Sequence, residues 1–239
     1  MADDKPNNRP KSQEVSTQGQ VDAFLAKVRA APVPAPGRRG RLIFALDATA
    51  SREPTWDVAM QIQGEMFSET AALGGLDIQL AYYRGFAEFA AGPWEARAPD
   101  LLRRMSAVSC LAGQTQIAKL LAHARAEAER GKVDALVFVG DCVEEDVDRL
   151  GRLAGELGLL GVRAFLFHEG ADSAARQAFE HIAKLTGGAC CPFDRSSASQ
   201  LKDLLSAVAV YAAGGRRALA DFSRRRGGVA LRLTHQLDR

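Results

Sequence analysis

Cysteine is scarce in this chain. Cys110, Cys142, Cys190 and Cys191 are the four thiols in 239 residues, too few and too irregularly spaced for a disulfide framework. If Cys190 and Cys191 lie in a strand they point to opposite faces, which argues against a two-thiol metal clamp. Histidine is equally sparse, and none of His123, His168, His181 and His235 is near Cys142 in sequence. A catalytic thiol there would need both a base and a depressed pKa. Long apolar runs are missing as well: no stretch reaches the roughly 18 residues of a membrane span. The polar opening Met1-Ala2-Asp3-Asp4-Lys5 has no apolar core behind it, so the expectation is a cytoplasmic chain with no secretory signal and no transmembrane segment. Gly-x-x-x-x-Gly-Lys-Ser/Thr is absent, which disfavours a P-loop ATPase, and no Gly-x-Gly-x-x-Gly follows the first apolar run.

What is present is the composition of a globular protein, 47% hydrophobic and 25% charged, long enough for one good core plus tails. The net charge of +2 is unevenly distributed: residues 1–40 carry +3, residues 216–239 carry +5, and the stretch between them about −6. Residues 1–40 form a polar extension with a short amphipathic helix on Val21, Phe24, Leu25 and Val28, then a Pro32-Pro34-Pro36 strap. Residues 214–239 form an Arg-rich extension. Its Arg224-Arg225-Arg226 cluster has the charge to meet nucleic acid, an anionic membrane or an acidic protein, or simply to be solvated.

Between the extensions, strand and helix patterns alternate over residues 41–213. Leu42 to Leu46 is apolar without alternation, the pattern of a central strand covered on both faces. A helix follows from Pro54 to about Leu73, then a strand from Leu76 to Tyr83 and a short edge segment from Phe86 to Ala90. Further helices are expected near Pro99–Met105, from Thr115 to Arg130, over 172–185 and over 201–211. Strands are expected over Val133–Val139, Val162–Phe167 and Ala189–Phe193. This order predicts an α/β fold, doubly wound, with a mostly parallel sheet, helices on both faces and one antiparallel edge strand. Gly214-Gly215 marks the expected end of the domain.

The first strand ends in Asp47-Ala48-Thr49-Ala50-Ser51. A carboxylate at a buried strand tip is costly unless a cation or backbone donors meet it. An Asp-x-Thr-x-Ser turn can aim three oxygens at one point, the ligand type hard divalent ions prefer. The plainer reading makes Asp47 a cap for the next helix. Leu136 to Gly140 is a second apolar run, ending in Asp141-Cys142, and Thr115 lies between the two, where it can also serve as a helix N-cap. Polar tips on separate elements can converge where the strands of an open sheet end.

These residues resemble the von Willebrand factor A (VWA) domains, whose metal-ion-dependent adhesion site uses an Asp-x-Ser-x-Ser turn, a Thr from a later loop and an Asp after the fourth strand. The resemblance implies Asp47, Thr49, Ser51, Thr115 and Asp141 as ligands or supports of a Mg²⁺, with Mn²⁺ as an alternative. Thr49 departs from the usual Ser but keeps the oxygen; Cys142 stands where a small residue tends to follow the last Asp. The implied function is binding: another protein presents an Asp or Glu to the ion. For stand-alone intracellular members the partner class is a MoxR-like or chelatase-type AAA+ ATPase complex. The alternative is a structural or self-association protein with a weak or empty ion site. A hydrolase that uses the ion to activate water is a third reading, and no residue here supplies its general base.

Overall fold

The computed structural model describes residues 39–193 and 198–226, together with the helical positions Gly19, Ala23, Ala26 and Lys27. Six strands form one sheet: β1 (Gly40–Asp47), β2 (Leu76–Arg84), β3 (Glu88–Glu95), β4 (Ala135–Gly140), β5 (Arg163–Glu169) and β6 (Ala189–Phe193). Their order is β3-β2-β1-β4-β5-β6. All neighbours run parallel except β2 and β3. Among the described residues the sheet is flanked by helices α1 (Glu53–Thr70), α2 (Ala98–Ser106), α3 (Ile117–Arg130), α4 (Val147–Leu159), α5 (Ser173–Leu185) and α6 (Ala198–Arg226).

Two hydrophobic cores explain why β1 lacks alternation. Leu42, Phe44 and Leu46 pack with Met66, Leu101, Val208 and Tyr211 under α1, α2 and α6. Ile43 and Ala45 pack on the opposite face with Leu121, Leu150 and Phe179 from α3, α4 and α5. Every residue of the run is therefore 0–1% exposed, and polar alternation has no solvent face to serve. Cys190 and Cys191 divide between the two faces, as a strand requires.

One local expectation changes. The edge strand is Glu88–Glu95 rather than Phe86 to Ala90, and it runs through Gly92 and Pro93. Pro93 is tolerated because an edge strand need not donate every amide, and the Gln79 Nε2 donates 3.0 Å to the Gly92 carbonyl across a register shift. At the expected boundary Gly215 is a kink with φ 68° and ψ −163°, after which the helix continues and Leu219 and Phe222 return to the core. Trp56 belongs to the buried stripe of α1, standing edge-on to Tyr82 and donating through Nε1 to the Met105 carbonyl. The residues Val21, Phe24, Leu25 and Val28, the Pro32–Pro36 strap and the alternating Val229–Leu233 lie outside the described residues. Lys27 lines a cavity of about 490 Å³ with Glu180, Lys184 and Cys190, beside α5 and β6.

The cores are close-packed enough to give opposite signs for two glycine substitutions. A Cβ on Gly40 would lie 2.3 Å from the Ala212 carbonyl oxygen of α6, so Gly40→Ala should destabilise by about 1–3 kcal/mol or more. Gly64 sits inside α1 with nothing within 4 Å of an added Cβ, and Gly64→Ala should stabilise by about 0.5–1 kcal/mol. Urea unfolding midpoints should move in opposite directions for the two variants.

Candidate metal centre

The chain leaves β1 toward β2 on one side, then returns to place β4 on the other. The tips of β1 and β4 thus flank the point where an open α/β sheet diverges. Asp47 ends β1 and Asp141 follows β4 directly. Thr49 precedes a 3₁₀ turn over Ala50–Arg52, and Thr115 lies two residues before α3. All five residues expected from sequence line one open cavity of about 290 Å³, with Gly113, Cys142 and Glu144.

Asp47 is 2% exposed. Its Oδ1 accepts from the Thr49 amide at 2.8 Å and its Oδ2 from the Tyr83 hydroxyl at 3.2 Å. Tyr83 is its register partner on β2. Burial raises the Asp47 pKa to about 6; the Thr49 amide opposes this and Asp141 adds to it. The reciprocal effect, led by burial, holds the Tyr83 phenol well above its ordinary value. The plain capping role is not taken up, since Arg52 occupies the N-cap of α1 and no side chain caps it.

Around the cavity the oxygens are loosely spaced. Thr49 Oγ1 and Ser51 Oγ are 3.4 Å apart, and Ser51 Oγ donates to Asp141 Oδ2 at 3.4 Å. Adjacent ligands of a Mg²⁺ octahedron stand about 3 Å apart, so these atoms need close by only a few tenths of an ångström. Two carboxylates with three hydroxyls form a hard, all-oxygen donor set, and it fits Mg²⁺ or Mn²⁺ better than a softer metal. Among the described residues there is no group of three or more His, Cys, Asp and Glu able to hold a metal, so any ion here depends on the hydroxyls.

Thr115 is not the N-cap of α3; Gln116 is. The Thr115 hydroxyl accepts from the Glu144 amide at 3.0 Å, while Glu144 Oε2 accepts from the Thr115 amide at 2.9 Å. Glu145 takes the Ile117 and Ala118 amides at 2.5 and 2.8 Å. The acidic residues after Cys142 are expected at the start of the following helix; two of them instead hold the N-terminus of α3. Asp146 alone caps α4, accepting from the Arg149 amide at 2.7 Å. Burial and the neighbouring Glu144 raise the Cys142 thiol, the reverse of an activated nucleophile.

Sequence reasoning passed over a buried ionic group beneath the site. Arg52 Nη2 lies 3.1 Å from Asp141 Oδ2, and Nη1 pairs with Glu169 Oε2. Glu169, at the end of β5, also accepts from the Thr55 hydroxyl. The available signal was another apolar run ending in polar residues, His168-Glu169. Burial lowers the His168 pKa, and its ring stands edge-on to Phe179.

A pH-dependent stability follows for the metal-free protein. The folded pKa of Asp47 lies above its ordinary 3.8, so folding favours the protonated acid and stability falls as pH rises from about 4 through 6. Asp47→Asn removes that titration and keeps the acceptor for Thr49. In EDTA, the variant should match wild type near pH 4 and exceed it by up to about 3 kcal/mol above pH 7. Denaturant titrations at several pH values check the divergence.

No family model and no curated protein matches the chain. Solved structures do match. The SpRpn10 VWA domain is similar at a TM-score of 0.54 with 14% identity, covering 70% of this chain and 94% of that one. Proximal thread matrix protein 1 from the mussel byssus, with a zinc-occupied MIDAS motif, gives 0.57 with 16% identity over 72% of this chain and 46% of that one. A D319A mutant of the PilB minor pilin from Streptococcus sanguinis gives 0.55 with 8% identity over 74% and 62%. The chain thus spans less than two thirds of the byssus protein and the pilin. At these identities the likeness concerns fold alone, and that fold is VWA-like: a mostly parallel sheet between helical layers with one antiparallel edge strand.

Proposed function

We propose that this chain is a protein-binding module whose contact point is the sheet edge around Asp47, Thr49, Ser51, Thr115 and Asp141. A Mg²⁺ held there, or a Mn²⁺, accepts an Asp or Glu side chain from the partner. The observation that carries this reading is the convergence of all five residues on one cavity. The ion would supply a positive centre where the protein has only oxygens, and the protein's part is to orient them. Tyr83 and the Thr49 amide fix Asp47, and Glu144 fixes Thr115. The byssus protein with its zinc-occupied MIDAS motif is a precedent for an ion in a similar fold.

A MoxR-like or chelatase-type AAA+ assembly in the cytoplasm is the partner class suggested by the family resemblance. Among the described residues, no helix is long and apolar enough to cross a membrane. The Arg-rich segment would add affinity outside the site, with Arg217 and Arg224 exposed on the last turns of α6.

The second reading is a structural or self-association protein of the same fold with a weak or empty ion site. It is favoured by Arg52, which already meets Asp141 with a positive charge, and by the dependence of any ion on hydroxyl ligands. Calorimetric titration with MgCl₂ separates the two. Wild type should bind one ion and Asp47→Ala none; equal behaviour of folded wild type and variant removes the ion site. Capture of a partner that is lost in EDTA and recovered with added Mg²⁺ would support ion-mediated recognition. Capture indifferent to both supports the second reading.

A further inference from the structure

Arg52 occupies an unusual position for a cation. It is the N-cap residue of α1, where the helix presents its unpaired amides and the positive end of its dipole. Its side chain is nevertheless only 5% exposed. Such a cation is tolerable only if anions meet it, and two do: Glu169 from the tip of β5 and Asp141 from the tip of β4. The two contacts are not equivalent. Glu169 is 4% exposed at the side chain and is also held by Thr55, so it is a fixed, buried counter-charge. Asp141 is 25% exposed at the side chain and lines the open cavity. The Arg52 guanidinium reaches its Oδ2, the same oxygen that accepts from Ser51.

We infer that Arg52 is a tethered cation that competes with the divalent ion for Asp141 and sets the affinity of the site, with Glu169 as the counter-charge that moderates it. This rests on the ion-site reading above. With Arg52 and Glu169 cancelling each other, Asp47 and Asp141 are left as carboxylates without a matching cation, beside Glu144 on the same cavity wall. Without an ion, Arg52 holds Asp141 in place at the cavity wall. An ion held in the cavity would draw on the same Asp141 carboxylate that the guanidinium meets. Charges close together away from bulk water interact strongly, so the strength of this competition depends on how well Glu169 neutralises Arg52.

Two substitutions shift that competition in opposite directions, which a merely structural role for the pair does not predict. Glu169→Gln keeps the side-chain shape and an acceptor for Thr55, but leaves Arg52 with Asp141 as its anionic partner; Mg²⁺ affinity should fall about tenfold. Arg52→Gln combined with Glu169→Gln removes both charges together, so that neither is left as a buried charge without the other; affinity should rise about tenfold or more. The readout is calorimetric titration of each purified full chain with MgCl₂ at constant ionic strength, with a thermal melt to verify folding. If wild type binds too weakly to measure, Asp47-dependent binding gained by the double variant is the expected result, and its absence overturns the inference. Equal affinities, or shifts of both variants in the same direction, also overturn it. The single variant decides the matter if the double one does not fold: unchanged or tighter binding by Glu169→Gln is fatal to the inference. Asp47→Ala separates the two levels of the argument. If it binds Mg²⁺ as wild type does, the site itself is misassigned; if wild-type binding needs Asp47 but ignores Arg52 and Glu169, only the competition fails.

Discussion

A carboxylate at the tip of a strand covered on both faces is the constraint on which the rest of the site depends. β1 has helices above and below it, so Asp47 emerges with little water to solvate it. Hydrogen bonds from the Thr49 amide and the Tyr83 hydroxyl offset part of that cost, yet the pKa remains at about 6. Turning the chain sharply after Asp47 supplies the amide. Pairing β1 with β2 in the observed register supplies the phenol, because Tyr83 stands opposite Asp47. Topology then brings a second tip alongside, since the chain reverses its strand order between β2 and β4. Two carboxylates facing one cavity repel, and the site is finished by whatever positive charge it recruits.

Much of this was legible in the sequence because its causes are local. An apolar run without alternation means a strand covered on both sides, and Leu42 to Leu46 is that strand. The alternation of strands and helices implied a parallel sheet with two helical layers. Asp47, Thr49 and Ser51 were readable as one turn because they lie within five residues. Thr115 and Asp141 were placed with them by the rule that strand ends gather in an open sheet, strengthened by family resemblance. Their convergence on one cavity agrees with that placement, while their role as ligands is a matter for titration.

What was not legible depends on contacts between residues distant in the chain. Glu144 and Glu145 read as the acidic start of the next helix, because a sequence shows only which amides are near in order. In space the amides of Thr115, Ile117 and Ala118 are closer, and the loop after β4 closes the start of α3. Gly214 and Gly215 read as a boundary, and how the chain beyond it would pack was not readable: apolar Leu219 and Phe222 have core to bury against, so the helix resumes after its kink. Arg52 gave no sign at all: one arginine after a hydroxyl turn is unremarkable until Glu169, 117 residues later in the numbering, is known to lie against it.

Arg52 and Glu169 also bear on how a VWA-like domain can keep its site assembled. In a site made only of oxygens, loss of the ion leaves carboxylates facing each other, and the strand tips are pushed apart by the same charges that make them good ligands. An internal guanidinium changes that balance. It meets one carboxylate on its own account, so the geometry of β4 and the turn after β1 need not wait for an ion. The opposing consequence is that a preassembled anion has less to gain from the ion. On the proposed reading, a structural domain with a weak site and a metal-dependent binding module would be two settings of one electrostatic arrangement, separated by how completely Glu169 neutralises Arg52.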